Sequence, residues 1–185
     1  MKTVSERYRN VAETFTTRVR EVPATAWDNP APCEGWVARD VVRHLVEWVP
    51  GFFRNLADLD LGQPPSVDDD PVAAWGALDG ALQQALDDPS VASRTFEMQG
   101  ATQTIESAIG QFVLGDVVVH TWDLARAAGL DETLDPDEVH GMLEGMQPMD
   151  EMLRSSGHYG PKVAVADDAD EQTRLIAFTG RQPSP

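Results

Sequence analysis

The chain has 185 residues, 42% of them hydrophobic, which is enough for a complete core, and we expect a single domain over residues 1–185. Its formal net charge of −17 argues against nucleic acid and against an anionic membrane surface as partners, because both require a cationic face. One cysteine excludes an internal disulfide, and the polar N-terminal segment and the lack of a long apolar run predict a cytoplasmic protein that does not span a membrane.

The first two long helices are predicted from apolar residues that recur at helical spacing. The first covers roughly residues 3–22. In the loop that follows, Trp27 and Trp36 are expected to hold the chain against the core. The second helix covers about residues 37–61, and Pro50 inside it predicts a kink. Its predicted buried stripe consists of Val41, Leu45, Trp48, Phe52 and Leu56.

Turn and capping signals divide the middle of the chain. A third helix begins at Pro71, with Asp70 as its N-cap, and ends before Asp88. Residues 90–103 are expected to contain a short extended piece around a glycine. A fourth helix covers about residues 104–128, and the glycine that follows it is a favourable C-cap.

Two further helices are predicted towards the C-terminus. Asp135 caps a fifth helix that extends to about Ser155, and a last helix covers roughly residues 170–179. Four long helices with few strands favour an all-α fold built as a helical bundle. The first two connections are long, so a simple up-and-down topology with short loops is not expected.

The stretch "GDVVVHTWDL" (residues 115–124) places two polar side chains in the apolar stripe of the fourth helix. Asp116 and His120 are four residues apart and therefore share one face. A buried charge is costly unless it is paired or bound to a metal. His44, at the edge of the second helix's stripe, is the candidate third ligand. A carboxylate and two imidazoles suit zinc, with nickel, iron or manganese as alternatives, and three protein ligands leave a position open for water or substrate.

An ordinary polar core is the alternative explanation of the same residues. Asp116 could pair with His120 or with an arginine such as Arg43, without any metal. Asp123 is three residues from both His120 and Arg126. It could therefore form an ion pair with Arg126 at the surface, or orient His120 as a residue behind the metal ligand.

The remaining reactive side chains are expected to be structural or solvated. Cys33 follows a proline in a loop and is interpreted as an inert thiol. His140 and His158 belong to no cluster and are interpreted as solvent-exposed. The sequence contains no glycine-rich phosphate loop, no nucleophile elbow and no Cys-x-x-Cys pair.

Three stretches, taken together, resemble the signatures of one protein family. "PAPCEGWVARDVVRHLVEW" (residues 30–48) and "GDVVVHTWDLARAAGL" (residues 115–130) resemble two signatures of the mycothiol-dependent maleylpyruvate isomerase N-terminal family, which is DinB-like. "FTGRQP" (residues 178–183) resembles the closing Gly-Arg-x-Pro of short actinobacterial members. The resemblance covers nearly the whole chain.

This resemblance implies a DinB-like four-helix bundle in which His44, Asp116 and His120 hold a divalent metal, usually zinc. It also implies mycothiol, a small thiol, as co-substrate. Two positions depart from the family. The isomerase has a glutamate in place of Asp116, and relatives commonly have a capping threonine in place of Val37. The isomerase also has a separate C-terminal domain, so its own substrate is not transferred to this chain.

Two functions from different classes follow. The first is a metal-dependent thiol transferase or isomerase whose partners are a small-molecule thiol and a small electrophile. The second is a non-catalytic metal-binding or ligand-binding bundle that forms a homodimer. The dimer is suggested by Val118, Val119 and Trp122, which make the fourth helix apolar around most of its circumference.

Overall fold

The computed structural model describes residues 2–98, 100–155 and 159–183, which are mostly helical. In chain order the helices and strands are α1 (Val4–Glu21), α2 (Ala38–Ala57), α3 (Pro71–Asp87), the short α4 (Pro89–Ala92), β1 (Thr95–Met98), β2 (Ala101–Thr104), α5 (Ile105–Ala108), a π-helical turn (Ile109–Val113), α6 (Leu114–Ala128), α7 (Pro136–Met146), a 3-10 turn (Gln147–Met149), α8 (Asp150–Ser155) and α9 (Glu171–Phe178).

The four longest helices form the predicted all-α, DinB-like four-helix bundle. Helices α1 and α2 each pack against both α3 and α6. Helices α1 and α2 therefore lie diagonally opposite each other in the bundle. The long connection between α1 and α2 allows this arrangement, as expected from the sequence. In the core, the Trp75 ring meets Phe15 edge-on at 4.6 Å, and its Nε1 donates to Thr16 at 2.8 Å.

Capping residues fix most helix starts where the sequence predicts them. The Asp70 carboxylate accepts the backbone N–H of Ala73, and Asp135 caps α7 in the same way. Helix α2 is the exception, because Val37 has no side chain that can cap it. The Asp40 carboxylate instead accepts the Val37 N–H at 3.0 Å.

Helix α2 is shorter than predicted and its buried face is different. It continues through Pro50 but ends at Ala57, because Asp58 adopts a left-handed conformation with φ 47°. Leu56 is 43% exposed, so its predicted burial is wrong. The helix packs between α3 and α6, and this broad contact buries Val41, Val42, Leu45, Val46, Val49 and Phe53. Trp48 and Phe52 remain only partly buried at the edge of that contact.

Two of the other predicted helices are interrupted. The predicted fourth helix consists of α5, the π-helical turn and α6, and β1 and β2 before it form the expected extended piece as an antiparallel hairpin. Gly100 has φ 81° at the hairpin turn, a conformation that glycine adopts without strain. The predicted fifth helix is broken by the 3-10 turn around Pro148.

The apolar circumference of α6 is buried within the chain itself. Val118 and Val119 are each 3% exposed and Trp122 is 2% exposed, because α6 is surrounded by α1, α2 and α7. The observation that suggested a homodimer therefore has an explanation inside one chain. In the described ranges, every helix is too short or too polar to cross a membrane.

Candidate metal centre

The side chains of His44, Asp116 and His120 converge on one point between α2 and α6. His44 Nε2 lies 3.1 Å from Asp116 Oδ2, and His120 Nε2 lies 3.3 Å from Asp116 Oδ1. Nitrogen and oxygen atoms bound about 2.0–2.1 Å from one tetrahedral zinc ion lie roughly 3.3 Å apart. The two nitrogen–oxygen distances are close to that value, and one ligand atom from each side chain lies within 4.8 Å of the others.

The centre is buried on one side and open on the other. The exposed fraction of the side chain is 5% for His120, 25% for Asp116 and 33% for His44. A ligand approaching from solvent would therefore meet His44 and Asp116 first. This arrangement keeps a face of the centre accessible, as a binding or catalytic site requires.

Electrostatic coupling keeps the Asp116 carboxyl ionised. Burial alone would raise its pKa, but the charge of His120 and hydrogen bonds from both histidines outweigh burial and hold that pKa well below its usual range. Burial alone would lower the pKa of His120, but Asp116 and Asp123 outweigh it and raise that pKa to about 9. The shorter aspartate thus reaches both imidazoles despite replacing the glutamate of the isomerase.

Two tryptophans border the centre. Trp48 Nε1 donates a hydrogen bond to Asp116 Oδ2 at 2.9 Å, which fixes the carboxylate from the α2 side. The Trp36 ring stacks on His120 with ring centroids 5.8 Å apart and also contacts His44 at 5.1 Å. Sequence reasoning placed Trp36 on the core but missed the role of Trp48, although its position four residues after His44 was the available signal.

Asp123 lies behind His120, on the side of the ring away from Asp116. The His120 Nδ1–H donates to Asp123 Oδ2 at 2.8 Å, and Asp123 is completely buried. This contact leaves Nε2 facing the candidate metal position, as a second hydrogen bond commonly does for a metal-binding histidine. The alternative pair of Asp123 with Arg126 is wrong, because Arg126 Nη2 instead donates to Glu132 Oε2 at 2.7 Å.

Arg181 completes this buried chain and was missed by sequence reasoning. Its Nε and Nη2 atoms donate to the two Asp123 oxygens at 3.0 and 2.7 Å. Gly180 has φ 89° and turns the chain immediately before Arg181. A Cβ atom placed on Gly180 would lie 3.2 Å from the backbone of Gly160. A side chain there would be strained by the positive φ and tightly packed against that backbone, so the glycine favours the turn that brings Arg181 to Asp123.

Cys33 belongs to the same buried network but not to the open centre. Its Sγ lies 3.6 Å from Asp123 Oδ2 and 3.4 Å from Arg181 Nη2. Burial, together with the negative charge of Asp123, raises the pKa of the thiol to about 12. Cys33, His120 and Asp123 are close enough to form a second set of metal ligands. Arg181 already occupies both Asp123 oxygens, so the set with His44 and Asp116 is the better candidate.

The remaining predicted residues lie away from the centre. Arg43 donates to Asp68 and Asp40 instead of Asp116, so it is not the ion-pair partner considered from the sequence. His140 is exposed, as predicted, and contacts Glu171 at 3.0 Å. The prediction for His158 lies outside the described residues.

The bundle and its inward-facing His–Asp–His side chains define the class, a helical bundle with potential metal ligands on facing helices. Within that class, the chain belongs to the mycothiol maleylpyruvate isomerase N-terminal domain family, whose profile matches residues 8–125. All three predicted ligands and the stretch at residues 30–48 lie within that match, the stretch at residues 115–130 overlaps it, and the third stretch, at residues 178–183, lies beyond it.

Similar proteins occur in Mycobacterium tuberculosis. Two uncharacterized proteins, from strain CDC 1551 / Oshkosh and strain ATCC 25618 / H37Rv, are each 28% identical to this chain over 180 residues. The alignment covers 94% of this chain and 95% of each relative. No solved structure gives a significant match.

Proposed function

We propose that this chain is a metal-dependent thiol transferase or isomerase that joins a small thiol of the mycothiol type to a small electrophile. His44, Asp116 and His120 would hold one divalent metal, with zinc favoured by the ligand types and nickel, iron or manganese as alternatives. The observation that carries the proposal is the convergence of both Nε2 atoms on the ionised Asp116 carboxylate at 3.1 and 3.3 Å. The thiol is proposed to be of the mycothiol type because the chain belongs to a mycothiol-related family.

The residues of the chain have distinct roles in this proposal. With a metal bound and both imidazoles neutral, Asp116 would contribute the only charge among the three ligands, and the Trp48 hydrogen bond holds its carboxylate in place. Asp123 holds the His120 ring so that Nε2 faces the ion. His44, the most exposed ligand, borders the side from which thiol and electrophile would enter.

The chemistry is a nucleophilic attack by sulfur. A bound divalent ion supplies Lewis acidity, which lowers the pKa of a coordinating thiol. The thiol proton passes to solvent, and the sulfur electron pair forms a carbon–sulfur bond with the electrophile. In a transfer, the leaving group departs with its bonding electrons. In an isomerisation, sulfur adds to a carbon–carbon double bond and is expelled again after rotation, so that the thiol is regenerated. A cytoplasmic location, where thiols stay reduced, is part of the proposal.

A non-catalytic bundle is the second candidate, and one observation favours it. Asp116 already accepts hydrogen bonds from Trp48 and His44 and pairs with His120. The carboxylate is therefore satisfied without any metal, as in an ordinary polar core. Metal content and thiol chemistry separate the two candidates.

The deciding experiment combines elemental analysis of the purified protein with a zinc titration and a conjugation assay. The assay uses mycothiol and 1-chloro-2,4-dinitrobenzene, and the products are a thioether and chloride. We expect about one zinc ion per chain and metal-dependent product formation. His44→Ala should abolish both, whereas His140→Ala, which changes an exposed histidine away from the centre, should abolish neither. Absence of zinc binding even with excess zinc would refute the proposal.

A further inference from the structure

Two lines of side chains, each with a spacing of four residues, meet along the seam between α2 and α6. They are His44, Trp48 and Phe52 on α2, and His120, Asp116 and Phe112 on α6 and the π-helical turn. At one end, the ring centroids of His44 and His120 lie 4.9 Å apart. In the middle, Trp48 is hydrogen-bonded to Asp116. At the other end, the rings of Phe52 and Phe112 lie 5.7 Å apart. The candidate metal ligands therefore continue directly into aromatic rings.

Trp48, Phe52 and Phe112 form what we call the aromatic row. Trp48 and Phe52 meet edge-on at 5.7 Å, and Phe52 and Phe112 meet at a tilt of 51°. All three side chains are only partly buried, so the row keeps ring surface open beside the centre. Phe112 lies in the π-helical turn, a rare irregularity that often marks functional sites.

We propose that the aromatic row is the subsite for a planar, apolar group of the electrophile, next to the thiol at the metal centre. This inference rests on the proposed function and adds the substrate class to it. Ring faces bind apolar planar groups through stacked and edge-on contacts, and small-molecule sites are typically apolar with a few polar groups at one end. Here the apolar part is the aromatic row, and the polar end is His44, Asp116 and His120.

Charge and hydrogen bonding favour this class over two others. A charged group would suit the metal centre, but the rings of Trp48, Phe52 and Phe112 carry no charge, and the arginines of α2 are engaged elsewhere: Arg43 by Asp68 at 2.7 Å and Arg54 by Asp60 at 3.2 Å. A sugar, such as that of the thiol itself, would require several hydrogen-bonding groups. The Phe52 and Phe112 rings provide none.

Helix geometry limits the length of the group. Four residues advance a helix by about 6 Å, so Trp48 lies roughly one such step and Phe52 roughly two such steps from His44 along α2. A group of one or two fused rings covers about one such step, the step from Trp48 to Phe52. The electrophilic carbon would then lie at the polar end, where the sulfur is activated, and the rings would extend towards Phe52 and Phe112.

The test measures binding to the full chain with its metal removed by chelation. Fluorobenzene is the aromatic probe and fluoroacetamide the non-aromatic one, and both are titrated by fluorine NMR. We expect saturable binding of fluorobenzene only. Phe52→Leu and Phe112→Leu should each raise its dissociation constant about 3- to 10-fold, because each keeps an apolar side chain but removes a ring. Val72→Ala on α3, which changes a residue that is 39% exposed, is the control and should have no effect.

Several results would overturn the inference. These are no saturable binding of fluorobenzene, equal binding of fluoroacetamide, or no weakening in either phenylalanine variant. Displacement of fluorobenzene by glucosamine would assign the row to the sugar of the thiol instead of the electrophile. Because the measurement uses metal-free protein, a failure of zinc binding or thiol transfer leaves it unaffected. The two proposals can therefore fail separately.

Discussion

Arg181 and Asp123 form a buried ion pair with two hydrogen bonds, from Nε to Oδ1 at 3.0 Å and from Nη2 to Oδ2 at 2.7 Å. The same carboxylate accepts the Nδ1–H of His120. Burial alone would raise the pKa of Asp123, but His120 and Arg181 outweigh it and lower that pKa. The segment after α9 thus fixes the orientation of a candidate metal ligand on α6.

Arg181→Met should destabilise the protein and weaken metal binding. The variant removes the guanidinium partner of the buried Asp123 charge and leaves it with His120, and breaking a buried pair costs up to about 3–5 kcal/mol in comparable sites. Loss of support for a ligand histidine weakens metal affinity about 10- to 100-fold. Urea denaturation and a zinc titration measure the two effects. Arg9→Met removes the exposed pair with Asp87 and should change neither. Unchanged zinc affinity in a folded Arg181→Met protein would contradict the orienting role.

Asp116→Asn and Asp116→Leu should both abolish zinc binding while the helical fold is retained. Both variants remove the anionic oxygen, and the leucine also suits the surrounding apolar stripe. Added zinc should therefore no longer raise the melting temperature, as mass action requires for the parent protein. Asp116→Glu keeps a carboxylate and restores the residue of the isomerase, so it should retain binding. If Asp116→Leu bound zinc as tightly as the parent, Asp116 would be only an ion-pair partner of the histidines.

The metal-free protein should lose stability as the pH rises from about 6.5 to about 9. The His120 pKa is raised from 6.5 to about 9 on folding, so its contribution is complete below pH 6.5 and is lost as the pH rises through 9. With zinc the trend should reverse over the same range, because protons then compete less with the metal. Urea denaturation with and without a chelator measures this. The coupling would be contradicted if the stability of the metal-free parent did not change with pH, or if it fell as steeply in metal-free Asp116→Leu.

Cys33 should resist alkylation in the folded protein. Its pKa of about 12 leaves very little thiolate at pH 8, and the thiolate is the reactive form. We expect iodoacetamide to react about 1,000-fold more slowly than with the same protein in denaturant, as followed by mass spectrometry. A folded protein that reacts as fast as the denatured one would show that Asp123 and burial do not hold the thiol neutral.

The sequence predicted what local periodicity and capping determine. The four-residue spacing of Asp116 and His120 placed both on one face, and Asp70 and Asp135 marked helix starts correctly. The π-helical turn was not predictable, because one irregular turn barely changes an apolar pattern. The end of α2 depended on Asp58 in a left-handed conformation, which aspartate adopts more readily than most residues but much less readily than glycine, so it did not mark a clear helix end.

Long-range partners were beyond sequence reasoning for a different reason. Arg181 lies 58 residues from Asp123, and only the packing of the segment after α9 brings them together. Trp48 and Asp116 are separated by 68 residues, and their hydrogen bond depends on how α2 and α6 pack side by side. His44 was identified because it lay at the edge of an apolar stripe, which is a local property.

The separation of His44 and Asp116 by 72 positions in the sequence affects how strongly a metal would favour the folded over the unfolded chain. In the unfolded chain Asp116 and His120 remain near neighbours, but bringing His44 to them requires closing that long loop. The loop-closure entropy corresponds to about 4 kcal/mol, or roughly a thousandfold in affinity. In the folded bundle this entropy has already been lost, so metal binding does not have to offset it. An ion at the centre would therefore act as a reversible cross-link between distant parts of a chain whose single cysteine cannot form an internal disulfide.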